Sequence, residues 1–287
     1  MDNSWRWHPI RKGYATDETG LYLHYEERGE HLMGNSGFMF KAVLFLATLV
    51  LGALVVSLLQ LFAPGWAKTT LLGEGTGGVS QAVHYAMWLA LFMGIGVILI
   101  RVFSIWEEAE QYTKRRYLPT DGRMLDAPTL DSIHSSLVNR RYGRETFLPQ
   151  LLTRVIEQYR LNRNQEQATS VLNASLELHM HEIDLRYSTL RYLTWLIPSL
   201  GFIGTVLGIM FALQYAGNPI NAESEEFLYE VTSRLGVAFT TTLVALVFAA
   251  VLVFLQSIVQ AAEERGLNRA GQYTIDNLIL RLGGKPA

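Results

Sequence analysis

Residues 192–215 read YLTWLIPSLGFIGTVLGIMFALQY, and residues 235–259 read LGVAFTTTLVALVFAAVLVFLQSIV. Neither stretch contains a charged side chain. As helices rising ~1.5 Å per residue, each would run about 30 Å or more, which matches a hydrocarbon core about 30 Å thick. Two further stretches read the same way: residues 42–62, in which only Thr48, Ser57 and Gln60 are notably polar, and residues 83–103, with His84 and Arg101 near the ends. Buried helices of soluble proteins usually stop at ~10–14 apolar residues, and four longer segments are hard to house in a 287-residue core. The pattern therefore predicts an all-α integral membrane protein with four transmembrane helices and long helical extensions.

Composition narrows the function classes. Apolar residues make up 49% of the chain and charged ones 17%, and the formal net charge of −2 gives no basic footprint for nucleic acid. Without cysteine there are no disulfides, thiolate metal sites or thiol nucleophiles. No Walker sequence, metal-spaced histidine pair or nucleophile constellation is present, so neither an enzyme nor a cofactor is expected; His179 and His181, two apart, point to different faces of a helix. The first span follows a tail that carries Asp2, Asp17, Glu18, Glu26, Glu27 and Glu30, which is unlike the front of a cleaved signal peptide.

Basic residues set the expected orientation, because Lys and Arg near spans are retained on the cytoplasmic side. Only Lys68 lies between the first two spans and only Arg234 between the last two, whereas the remaining basic residues lie in the N-terminal tail, the middle segment and the C-terminal tail, with Arg101 at the inner end of the second span. The reading is a multi-pass protein of a bacterial inner membrane with both termini and the middle segment in the cytoplasm. Its expected parts are a tail over 1–41, a first hairpin over 42–103, a cytoplasmic helical domain over 104–191, a second hairpin over 192–259 and an amphipathic C-terminal helix over 260–287. In the middle segment the long run from Glu145 leads into the third span without a Gly, Pro149 marks a first-turn start or a kink, and 121–144 reads as turns and a short helix. Trp5, Trp7, Tyr14, Tyr22 and Tyr25 are candidates for an interfacial anchor.

None of the 26 Asp and Glu residues lies in the four spans. An ion pathway ordinarily needs an intramembrane ionisable group. Either the chain conducts nothing, or a partner helix supplies the carboxylate. The last two spans bear on this choice. Pro198, Gly201, Thr205, Gly208 and Ala212 follow at steps of three and four and so share a helix face, as do Ala238, Thr242, Ala245 and Ala249. Small residues at four-residue steps also serve plain helix packing. Thr205 and Thr242 lie at similar depth, where two hydroxyls can face one volume; alternatively each bonds its own i−4 carbonyl, as Thr240 and Thr241 do on this reading.

These residues resemble the MotA/TolQ/ExbB proton-channel family. The resemblance is carried by IPSLGFIGTVLGIM over 197–210 and AFTTTLVAL over 238–246, about a third of the chain with the helix leading in. Four spans with a long segment after the second resemble MotA, whereas the GTVLGIM wording is closer to TolQ and ExbB. By resemblance Thr205 is similar to the threonine of the family's Gly-Thr-Val motif, Thr242 to the pore threonine of its last span, and Pro198 to a proline of MotA-type members; Ala245 stands where many members have Gly. The resemblance implies a homopentamer in membrane lipid around a dimer of single-span MotB/TolR/ExbD-like partners, each with an intramembrane Asp. Protonation of that Asp would then drive rotation of the ring.

The expected pore-lining set is Thr205, Thr242, Pro198, Gly201, Gly208, Thr241, Ala238 and Ala245. Hydroxyl lining suits protons and sodium alike. Glu107, Glu108, Glu110, Arg115 and Arg116 form a candidate cytoplasmic contact for an effector, though i,i+4 pairing explains the cluster equally well. The rival reading is a non-conducting scaffold or receptor in which small faces only pack helices. A solute transporter fits less well, since no inverted repeat is evident.

Overall fold

The computed structural model describes residues 20–73, 78–114, 117–119, 124–139, 146–222 and 225–282. The tail residues Trp5, Trp7 and Tyr14, together with Arg115 and Arg116, lie outside them, and nothing is described of the side chains of Tyr22 and Tyr25. Residues 1–43 and 44–287 form two units. The first contributes the start of helix α1 (Gly20–Phe62); all packing below belongs to the second. Among the described residues every regular element is helical, and four helices are long and apolar enough to cross a membrane, within Met39–Phe62, Ser80–Glu110, Gln165–Ala216 and Phe227–Arg281.

α1 stops where Pro64 takes an extended conformation and caps the short helix α2 (Gly65–Leu72). Gly73 closes α2 at φ 68°, a left-handed position that suits glycine, and its N–H returns to the carbonyls of Lys68 and Thr69. A Cβ here would also meet Nδ1 of the His84 ring at 2.7 Å, so the position excludes larger residues twice over. The indole N–H of Trp88 donates to Leu71 O at 3.0 Å and ties α2 to the next helix, α3 (Gly78–Lys114).

The polar middle segment folds as α4 (Ala127–Asn139), α5 (Phe147–Asn162) and α6 (Gln165–Arg186). The uninterrupted run from Glu145 is thus divided. Arg163 ends α5 at φ 51°, and the Asn164 side chain accepts from the N–H groups of Glu166 and Gln167, which starts α6 as a tight helical hairpin. Pro149 sits in the first turn of α5, where its missing N–H costs nothing. A second interruption at Tyr187 separates α6 from α7 (Ser188–Ala216).

After the short α8 (Pro219–Ala222) comes α9 (Phe227–Asn277), 51 residues without a break. The C-terminal amphipathic stretch is therefore the continuation of the fourth span, not a separate helix. Beyond it the 3-10 turn Ile279–Arg281 inserts Leu278, Ile279 and Leu282 into the core of the polar domain. Leu125 N–H to Arg281 O at 3.0 Å and Tyr159 O–H to Leu282 O at 2.6 Å fasten it there.

Candidate functional site

α7 and α9 form the most intimate helix pair in the chain, and small side chains are the reason. A Cβ added at Gly201 would collide with the Ala245 methyl, one at Gly204 with the Thr241 methyl, and one at Gly208 with the Ala238 methyl at 2.5 Å. Three successive turns of α7 therefore lie directly on α9, as close backbone approach in lipid requires. Ala238, Thr241 and Ala245 are buried in this seam, and Val83 of α3 packs behind it at Gly204. The small residues expected to line a pore are thus consumed, for Gly201, Ala238, Thr241 and Ala245, in packing within one chain. Thr241 in addition spends its hydroxyl on Val237 O of its own helix at 2.8 Å. Gly208 packs on Ala238 in the same seam but is half-buried, as is Pro198 one to two turns before Gly204.

The threonines of the two motifs meet at that edge. Thr205 and Thr242 are both half-buried, and their hydroxyls hydrogen-bond to each other. Each also reaches the opposite backbone: Thr205 Oγ1 donates to Ala238 O at 2.9 Å, and Thr242 Oγ1 donates to Gly201 O at 3.1 Å. Thr205 lies 3.2 Å from its own i−4 carbonyl, Gly201 O, as well. Two hydroxyl protons thus face four oxygens, two of them hydroxyl and two carbonyl. Such a set has spare acceptor capacity and can exchange which acceptor each proton serves. Thr240 is elsewhere on the helix and bonds Val237 O at 2.9 Å. The similar depth inferred from sequence is therefore real contact; the i−4 bond is also made, by Thr241 alone and by Thr205 alongside its contacts to α9.

The proposed effector cluster divides. Glu107 and Glu110 are exposed on α3, whereas Glu108 is only 7% exposed. Its carboxylate accepts from Phe147 N–H at 3.0 Å and Leu148 N–H at 3.4 Å. α5 has no side-chain cap of its own at Thr146, so Glu108 satisfies its first-turn donors from another helix. Glu108 is accordingly a structural cap inside the fold and no part of an effector surface. The reason was readable in the sequence, since Leu91, Gly94, Ile98, Arg101, Ile105 and Glu108 run along one stripe of α3 at helical steps, which carries Glu108 inward.

Sequence reasoning passed over Glu263 and Tyr187. Glu263 is 4% exposed and accepts from Tyr187 O–H at 3.0 Å and from the Arg186 guanidinium at 3.1 Å. The available signal was an acid placed in the apolar stripe Leu252, Val259, Leu267 and Ala270 of α9.

No curated protein matches the chain in sequence. Residues 144–270, which hold both threonines, all of α7 and most of α9, match the family model of the MotA/TolQ/ExbB proton channel family.

Proposed function

We propose that the chain is the ring-forming subunit of an ion-driven motor or channel of the bacterial inner membrane. Five copies surround two single-span partner helices of the MotB/TolR/ExbD kind, each of which brings the intramembrane Asp that these spans lack. The observation that carries the reading is the Thr205–Thr242 hydroxyl pair, held half-open at the edge of a sealed seam in spans without a single carboxylate. A threonine hydroxyl donates to a carboxylate and accepts from a carboxylic acid, so it serves both protonation states of a partner Asp. A hydrogen bond to a charged group is worth about 1.5–3 kcal/mol, which biases one ring position over another roughly ten- to a hundredfold. That bias is enough for protonation to switch the preferred facing of a two-state assembly. Residues 104–191 and both termini face the cytoplasm on this reading, and ion flow becomes rotation or force passed on through the partner.

The test is ion flux in vesicles that contain the complex purified from its native membrane. Thr205→Val and Thr242→Val each keep shape and remove a hydroxyl; each should assemble and lose at least about tenfold of the flux, since removing one charged hydrogen bond costs that much. Thr240→Val should conduct normally. Normal flux in both Thr205→Val and Thr242→Val would favour the scaffold reading, in which the seam only packs helices. Orientation is checked by reporter fusions at Gly73 and Asn221, which should read as external; a cytoplasmic signal at either would reverse the topology.

A further inference from the structure

Below the spans, at the junction with the polar domain, the buried carboxylates of Glu108 and Glu263 meet the partly buried guanidinium groups of Arg101 and Arg186. Glu263 of α9 takes Tyr187 O–H on one carboxylate oxygen and Arg186 on the other. Tyr187 and Arg186 are consecutive, and Tyr187 is the single residue at which α6 stops and α7 begins. The Tyr187 N–H is shared between its i−4 partner Ile183 O at 3.3 Å and Asp184 O at 3.2 Å, a local tightening of the helix, while Arg191 N–H still reaches Tyr187 O at 3.0 Å. Arg101 of α3 stands in electrostatic range of Glu263, Arg186 and Tyr187. Seven residues on, the same face of α3 carries Glu108, which caps α5. The Phe147 ring at the start of α5 packs on His179 of α6, 5.4 Å between centroids, and Glu182 lies 3.1 Å from His179 and 3.8 Å from the Arg186 guanidinium.

The set does not extend the ion path. From Thr242 to Glu263 the chain climbs 21 residues of unbroken helix, about 30 Å, and the face between is closed by Ala245, Ala249, Leu252 and Val259. What links the two places is stiffness. α9 carries Thr242 and Glu263 on one rod, whereas α7 carries Thr205 and is interrupted at Tyr187, where Glu263 takes hold of it.

We propose that Glu263, held by Tyr187 and Arg186 at the break between α6 and α7, is the pin of a joint through which movement of the threonine hairpin is passed to the polar helices. This inference rests on the ion-driven reading above. Removing one member of such a set leaves a buried charge or donor without its partner, and the orientation it fixed is lost. Glu263, Tyr187 and Arg186 are positioning residues on this account; none touches the ion.

The chain lacks cysteine, so Leu161→Cys, exposed at the end of α5, takes one environment-sensitive fluorophore. The native complex bearing it is reconstituted in vesicles, and fluorescence and flux are recorded together as a proton or sodium gradient is imposed. In the parent complex the gradient should conduct and change the signal. Tyr187→Phe removes one hydroxyl without altering charge, and Glu263→Gln removes the charge while keeping length. Both should keep flux within about twofold and lose at least half of the gradient-dependent signal. Asp184→Asn, which breaks the solvated Asp184–Arg191 pair beside the same break, should leave both readings unchanged. Should Glu263→Gln not fold, Tyr187→Phe decides alone. Flux without any gradient-dependent signal in the parent, or a full signal in Tyr187→Phe, overturns the joint and leaves the ion path standing. No flux in the parent overturns the ion path, and the joint falls with it.

Discussion

The first span and the fourth give the same hydropathic reading, yet the fold holds them by different means. From Leu44 onward α1 rests on α3 along one line, where Thr48 lies over Gly96, Gly52 over the Phe92 ring, and Gln60 donates to Tyr85 O–H at 2.5 Å. Beside that line an apolar groove opens between Leu49, Val56, Trp88 and Phe92, and Leu46, Val50 and Leu54 face outward. α9 instead lies backbone to backbone on α7, with α3 behind and the polar domain at its end. In lipid no hydrophobic force draws helices together, so contact geometry decides, and a helix with large side chains along its face stays loosely seated. Hydropathy marks both as spans and carries no information about this difference. Side-chain size at four-residue steps does.

Enlarging a seam residue should have the largest effect. Gly201→Val places atoms against Ala245 Cβ and against the backbone of Thr241 and Thr242, none of which can swing aside. The cost should reach or exceed the about 3 kcal/mol of ordinary overpacking, with a marked loss of folded protein in detergent. A Gly201→Val chain that melts like the parent would mean the α7–α9 seam is not closed.

On the α1 side the same operation should be mild. Gly52→Ala meets the Phe92 ring and Gly96→Ala meets the Thr48 and Phe45 side chains, all able to turn away. About 1 kcal/mol is expected for either, at the low end of the overpacking range. Val50→Ala, at 67% exposed, should stay within about 0.5 kcal/mol by the same melting assay. A large destabilisation at Val50 would show that α1 is gripped by a further surface, such as another copy of the chain.

Much of this was legible. Four spans, the helical extension of α3 past its span, and the shared depth of Thr205 and Thr242 follow from residue spacing. Two things did not follow. The faces of Gly201, Ala238 and Ala245 suit a pore and a helix seam equally, and only the partner's position, which is tertiary, separates them. The division of 147–216 into three helices escaped because Arg163 and Tyr187 are ordinary helix residues; Asn164 as a cap is the local clue for the first break, and the Glu263 contact, 76 residues away, accompanies the second. Glu108 shows the limit of reading charge alone, since its place on the buried stripe of α3 carries it inside the fold.

On the ion-driven reading the two threonine hydroxyls act as one unit, which a double-mutant cycle measures directly. Each single hydrogen bond between membrane helices is worth about 0.6 kcal/mol and at most about 1.7, so Thr205→Val, Thr242→Val and the double variant should all assemble. Flux through the native complex is then compared across the four forms. The pair Thr205–Thr242 shares its protons, so either substitution should remove the function of both, and the double variant should conduct about as poorly as each single one. A double variant whose loss equals the product of the two single losses would show two independent sites and contradict the account.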